Sequence, residues 1–191
     1  MDPEQLLSHE NAERIMDEAW KLFQQKGYRG VTMDELCQTC GLTKPTLYYY
    51  FHDKENLFVQ VLTARLRGFH KVIERPGSLS ERLEWIAASI LESFQTEYNV
   101  LLRDREHIKN PQNYESIRAA FHNELFDPLI ALMESGVAQG ELEKVDPEWL
   151  SLMFMGTINN FIGRSGEAVP DHISLARLLT HYFLYGAGKT G

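Results

Sequence analysis

The sequence predicts an all-α protein of about nine helices. Three observations carry that prediction. Apolar residues recur at helical spacing in one segment after another. The segments open on Ser, Thr or Asp and close on Gly or just before Pro. No segment alternates apolar and polar residues as a half-buried strand would, and no repeat of fixed period or low-complexity tract interrupts the pattern.

The first helix is expected from about Ser8 to Lys26, with Ile15, Met16, Ala19, Leu22 and Phe23 on one face and Gly27 as its stop. Thr32 opens a short second helix, with Glu35 completing a capping box, and Gly41 ends it. The third starts at once on Thr43, with Pro45 in its first turn, where a missing N–H does no harm. It ends near His52, and Asp53 caps a fourth helix to about Glu74. Ser78 and Glu81 form a second capping box, opening a helix to about Glu97. A further helix is expected over Val100–Ile108. The next runs from about Gln112 to Ala138, and Pro128 should kink it near Glu124. Asp146-Pro147 opens the penultimate helix, to about Gly163, and the last runs from about Asp171 to Tyr185. The early helices are short and closely spaced, the later ones longer. The fourth helix, not a flexible linker, joins a front domain at 1–53 to a back domain at 54–191.

Composition narrows the function. The chain has 191 residues, 43% apolar and 24% charged, and can bury a substantial core. Its start, MDPEQLLSHE, is polar and acidic, and no apolar run approaches the roughly 20 residues that span a bilayer. A cytoplasmic protein with no membrane partner is therefore expected. Two cysteines do not make a disulfide scaffold. The formal charge is -8, and residues 1–60 hold six Lys/Arg against ten Asp/Glu. Any nucleic-acid contact must rest on a few placed cations and helix N-termini, not on a broad basic field.

The stretch TKPTLYYYFHDKENL, starting at Thr43, places four aromatic residues in a row. With Leu47 set at zero and about 100° per residue, Phe51 falls near 40°, so the two share an inward face. Pro45 and Tyr49 point away, at about 160° and 200°, while Tyr48, Thr46 and Tyr50 sit on the flanks. One short helix thus presents Pro, Thr and Tyr side chains outward, just after another short helix and a Gly41-Leu42-Thr43 turn. That is helix-turn-helix geometry, in which the second helix enters the major groove N-terminus first. Tyrosine hydroxyls can bond phosphates, and rings and methyls can meet thymine methyls. Lys54 opens the fourth helix, where the dipole already favours a phosphate.

GYRGVTMDELCQTCGLTKPTLYYYFHDKENLF resembles the DNA-binding domain of TetR-family transcriptional regulators. The resemblance covers about residues 9–60. It rests on the helix ending LFQQKGY, the Thr before helix two, the Gly-apolar-Thr-Lys turn, the T-L-Y-Y-aromatic-F core and the D-K-E-x-L helix start. It implies DNA contacts at Thr32, Thr43, Lys44, Pro45, Thr46, Tyr48, Tyr49, Tyr50 and Lys54. Position 50 is often His in that family; Tyr keeps a possible phosphate contact and loses a titratable one. The resemblance further implies a palindromic double-stranded operator, a homodimer and a small-molecule inducer, usually releasing a repressor.

The back half must supply the dimer and any sensor. WLSLMFMGTINNFIG and ISLARLLTHYFLYG are apolar on several faces, which suits a four-helix interface between symmetry mates. Gly156 would allow close backbone approach. A pocket among the middle helices would draw on Trp85, Ser89, Phe94, Tyr98, His107, Tyr114, Phe121, His122 and Asn159. Glu92 or Glu97 in it would favour a cationic ligand, and Arg103, Arg105 or Arg118 an anionic one.

Cys37-Gln-Thr-Cys40 is a lone C-x-x-C on helix two, read as two small buried thiols, with a redox-responsive regulator as the alternative. A non-inducible architectural DNA-binding protein of the same fold is another. The seven histidines show no metal-binding spacing, and no phosphate loop, nucleophile elbow or carboxylate pair occurs. No cofactor, no metal and no enzymatic activity are expected. A Cys40–His107 nucleophile pair is the enzyme alternative, and only the presence of the two residues speaks for it.

Overall fold

The computed structural model describes residues 3–94, 107–164 and 170–187, with side chains from Asn11 onward. The described residues are helical, joined by short turns. Helix α1 spans Pro3–Gly30 and breaks at Gly27, whose φ of 69° and ψ of 170° leave the helical region where the sequence places the stop. Helices α2 (Met33–Cys40), α3 (Lys44–Phe51), α4 (Lys54–Ile73) and α5 (Leu79–Ser93) follow. Then come α6 (Pro111–Phe121), a π-helical turn at His122–Phe126, α7 (Asp127–Gln139), α8 (Pro147–Asn159) and α9 (His172–Tyr185). The helix expected over 100–108 falls almost wholly outside the described residues.

The caps are local chemistry, and those of Asp53, Ser78 and Asp171 stand where expected. Asp53 Oδ1 accepts Asn56 N–H at 2.7 Å. Ser78 and Glu81 exchange both bonds of a capping box. Asp171 Oδ1 accepts from Ile173 and Ser174, each at 3.0 Å. Helix α8 ends at Asn159, short of Gly163. At its end Gly156 O accepts both the backbone N–H of Asn160, at 3.3 Å, and its side-chain Nδ2–H, at 2.8 Å. The kink expected near Glu124 takes the form of the π turn. Pro128 has no N–H to give, and Asp127 N–H reaches back five residues to His122 O.

The described residues divide into two compact units, the first within Met1–Ala64 and Val100–Arg118, the second within Arg65–Asn99 and Ala119–Gly191. The first unit runs beyond residue 53 because the front half of α4 buries Leu57, Phe58, Val61 and Leu62. Phe58 meets Phe23 edge-on at 5.0 Å and Tyr28 at 5.1 Å, so α4 completes the core of α1–α3. In the second unit, α9 packs along α5 and α7 along α8. Phe69 stacks on Phe94 at 6.0 Å between α4 and α5.

Candidate nucleic-acid interface

The reading head is held by buried aliphatic and thiol groups. Leu36, Cys37 and Cys40 of α2 and Leu47 and Phe51 of α3 are buried. Thr32 Oγ1 accepts Glu35 N–H at 3.2 Å. Gly41, at φ 64°, turns the chain, and Leu42 N–H returns to Cys37 O at 2.9 Å. With Leu47 and Phe51 fixed inward, the other side chains of α3 have nowhere to go but out. Tyr49 is 78% exposed and Tyr48 44%. Tyr50 is half-buried, edge-on to Tyr49 at 5.4 Å and tilted on Phe51 at 6.1 Å. Thr32, Thr43, Lys44 and Pro45 are exposed and Thr46 is half-buried.

Two threonines differ from the simplest expectation. Thr43 occupies the N-cap position of α3 but its hydroxyl caps no backbone N–H; it lies 2.9 Å from the Thr46 hydroxyl. The pair presents two hydroxyls side by side at the start of α3. Lys44 Nζ lies 2.5 Å from Asp34 Oδ1. That hydrogen bond holds the Lys44 ammonium above its ordinary range, so it stays cationic. Both partners are well exposed, and a phosphate could displace Asp34 at little cost.

Lys54 is placed differently from a surface lysine. Its Nζ donates to Tyr28 O and Val31 O, both at 2.8 Å, and lies 4.4 Å from the centre of the Tyr28 ring. It ties the end of α1 and Val31 beyond it to the start of α4. Sequence reading missed its neighbour Glu55. That carboxylate accepts Lys109 N–H, Asn110 N–H and Asn113 Nδ2–H, each at 3.0 Å, at the opening of α6. Burial opposes its ionisation, but these bonds outweigh it and hold the carboxyl below its ordinary range. The partners are 54 to 58 residues away, and no local sequence pattern pairs them.

Both cysteines are unbridged and buried. Burial, then the nearby Glu18 carboxylate, push the Cys40 thiol up, away from the reactive thiolate. Among the described residues, no group of three or more His, Cys, Asp and Glu could hold a metal. No helix among them is long and apolar enough to cross a membrane.

Tyr98 lies outside the described residues, as do Glu97, Arg103 and Arg105. Of the other pocket candidates, His107 and Tyr114 belong to the first unit and the rest to the second. Phe94 is spent on the Phe69 stack, and Phe121 stacks on Phe126 at 5.5 Å. His122 Nδ1 pairs with Asp127 Oδ1 at 3.0 Å. Trp85 and Ser89 are half-buried on α5. Asn159 is buried, and its Oδ1 has no hydrogen-bond partner among the described residues. A cavity of about 620 Å³ in the second unit is lined by His70, Glu74, Arg82, Asn123 and Asp127, groups of both charge signs, and by none of these candidates.

The outer surface of α8 and α9 is apolar. Trp149 is 63% exposed and Tyr185 68%, with Leu152, Met153, Ile173, Leu178 and Tyr182 also exposed. Gly156 is exposed and has nothing near the position a Cβ would take.

A short helix that turns its tyrosines, threonines and a lysine outward, across a glycine turn from a second short helix, defines a helix-turn-helix DNA-binding regulator. Residues 15–61 match the family model of bacterial regulatory proteins, tetR family. Over those residues the chain carries the DNA-binding domain of TetR-family transcriptional regulators. It is similar to the uncharacterized HTH-type transcriptional regulator YhgD of Bacillus subtilis (strain 168), 22% identical over 187 residues, 94% of this chain and 98% of that one. Its fold is similar to that of the TetR family transcriptional regulator PfmR from Thermus thermophilus. There the TM-score is 0.76 and the identity 26%, over 92% of this chain and 100% of that one. It is also similar to the transcriptional regulator FadR from Bacillus subtilis, solved in complex with stearoyl-CoA. The TM-score is 0.73 and the identity 17%, over 92% of this chain and 99% of that one.

Proposed function

We propose that the chain is a cytoplasmic, homodimeric repressor, released from a palindromic operator by a small molecule bound within residues 54–191. Residues 1–53 form its DNA-reading domain. The observation that carries this reading is the outward face of α3, where Tyr48 and Tyr49 stand exposed on a helix locked by Leu47 and Phe51. Tyr48, Tyr49, Thr46 and Pro45 meet base edges, while Thr32, Thr43, Lys44, Tyr50 and Lys54 meet phosphates. Lys54 would do so from its seat on the Tyr28 and Val31 carbonyls. The exposed apolar faces of α8 and α9 support a dimer through the last two helices. The ligand bound to FadR supports a small-molecule inducer, an acyl-coenzyme A being the first class to try. A ligand would shift the population between operator-spaced and splayed dimers through α4, which enters both units.

The test is fluorescence anisotropy on DNA from upstream of the protein's own gene, against a scrambled duplex, over a salt series. Tight binding to the native duplex alone, at two protomers per site or a multiple, is expected. Absence of binding to either duplex at low salt overturns the reading.

A further inference from the structure

Pro128 leaves a carbonyl without a donor, and a histidine from another helix fills the gap. In a regular helix Asn123 O would receive Asp127 N–H; here that N–H bonds His122 O. The donor one residue on would be residue 128, a proline, which has none. His70, near the end of α4, brings Nδ1 to 3.1 Å from Asn123 O. Its other ring nitrogen, Nε2, lies 3.1 Å from Glu74 Oε1. A carbonyl and a carboxylate only accept, so each nitrogen needs a proton, and a neutral imidazole has one. The ring is held from both sides only as imidazolium.

The charges around the ring agree. Glu74 faces it from its own helix and Glu124 from the π turn. Asp127, at the start of α7, lines the same cavity but is paired with His122. Arg82 of α5 lines it too, with Nε and Nη2 donating to Ile73 O at 2.9 and 2.7 Å. The Asn123 carbonyl and then the Glu74 carboxylate raise the His70 pKa above its ordinary value.

We propose that His70 is a proton-operated clasp, tying the last turns of α4 to the π turn when doubly protonated and loosening that hold when it loses a proton. Deprotonation leaves Nδ1–H on Asn123 O and turns a lone pair toward Glu74, so one arm of the clasp becomes repulsive. The sign follows from the raised pKa: the contribution is complete below about pH 6.5 and is lost as pH rises through the higher folded-state value. Because α4 also follows the reading helix, the clasp makes proton concentration an input to the regulator; that last step rests on the function proposed above.

The experiment is a histidine-ring NMR titration of the intact protein, together with melting at pH 6 and pH 8. His70 is expected to titrate above about 6.5, with the midpoint falling in Glu74→Gln. His70→Asn sets an untitratable amide N–H near the Nδ1 position. The wild type should lose on the order of 1–3 °C more than this variant between pH 6 and pH 8. A His70 midpoint at or below the ordinary value, or one indifferent to Glu74→Gln, overturns the clasp. So does an equal pH dependence of melting in wild type and His70→Asn. Neither readout uses DNA, so failure of the operator assay would strike the regulator reading and leave the clasp to stand or fall by itself.

Discussion

The outward face of α3 and the outward faces of α8 and α9 are both aromatic and both exposed, yet they are built of different chemistry. On α3 every exposed ring carries a hydroxyl, and Thr43, Lys44 and Thr46 add polar groups around Tyr48 and Tyr49. On α8 and α9 two tyrosines and a tryptophan stand among Leu152, Met153, Ile173 and Leu178. The first surface can exchange water for phosphate oxygens and base edges; the second gains mainly by meeting another apolar surface. Exposure of aromatic rings alone does not name a partner. The atoms between the rings do.

Breaking the apolar surface should have the largest effect. Leu178→Glu is expected to weaken the proposed dimer by about 100-fold, read by analytical ultracentrifugation, and to carry operator affinity down with it. A dimer of unchanged strength would remove α9 from the interface. On the other surface, Tyr48→Ala is expected to cost operator affinity ~1–3 kcal/mol with the melting temperature unchanged. Equal affinity for wild type and variant would strike Tyr48 from the contacts. The Lys54→Ala variant sharpens the contrast between contact and support. Loss of its grip on Tyr28 O and Val31 O should lower stability by about 1–3 kcal/mol in urea unfolding. The slope of operator affinity against salt then separates roles: a drop of about one unit marks a phosphate contact, and an unchanged slope leaves support alone.

Glu55→Gln should have a smaller, pH-dependent effect. The Glu55 carboxyl sits below its ordinary value in the folded chain. The wild type's advantage over Glu55→Gln is therefore complete above about pH 4.5 and shrinks as pH falls through the folded-state value. Urea midpoints at neutral and acid pH measure it; an advantage that grows on acidification would contradict the assignment. The smallest effect is expected at the thiols. With Cys37 and Cys40 buried, mild oxidant should leave DNA binding within about two-fold of the untreated protein, in wild type and Cys37→Ser alike. Oxidant-sensitive binding abolished by Cys37→Ser would restore the redox alternative.

The features legible in the sequence are those whose partners lie close along the chain. Thr32 with Glu35, Ser78 with Glu81 and Asp171 with Ser174 are each three residues apart, and helix geometry alone brings them together. The same geometry sorted α3 into inward Leu47 and Phe51 and outward Tyr48 and Tyr49. What escaped were partners brought together by packing: Lys54 with Tyr28, Glu55 with Lys109, His70 with Asn123. No periodicity encodes which carbonyl a side chain will meet 26 or 53 residues away. Pro128 announced a bend at Glu124 but not that it would become a π turn, because that choice depends on where His122 O finds its donor.

Lys54 and Glu55, neighbours in the first turn of α4, reach in opposite directions along the chain, one to residues 28 and 31 and the other to residues 109–113. The head is therefore fastened at its trailing edge by Lys54, a residue that a cut after residue 53 would remove. Swapping heads between regulators to re-aim them at new promoters would sever the Lys54 fastening at that boundary, while the Glu55 fastening stays with the retained part. A chimera that keeps α4 and α6 with their own head retains the Lys54 and Glu55 junctions, and would move the seam to the helices behind them.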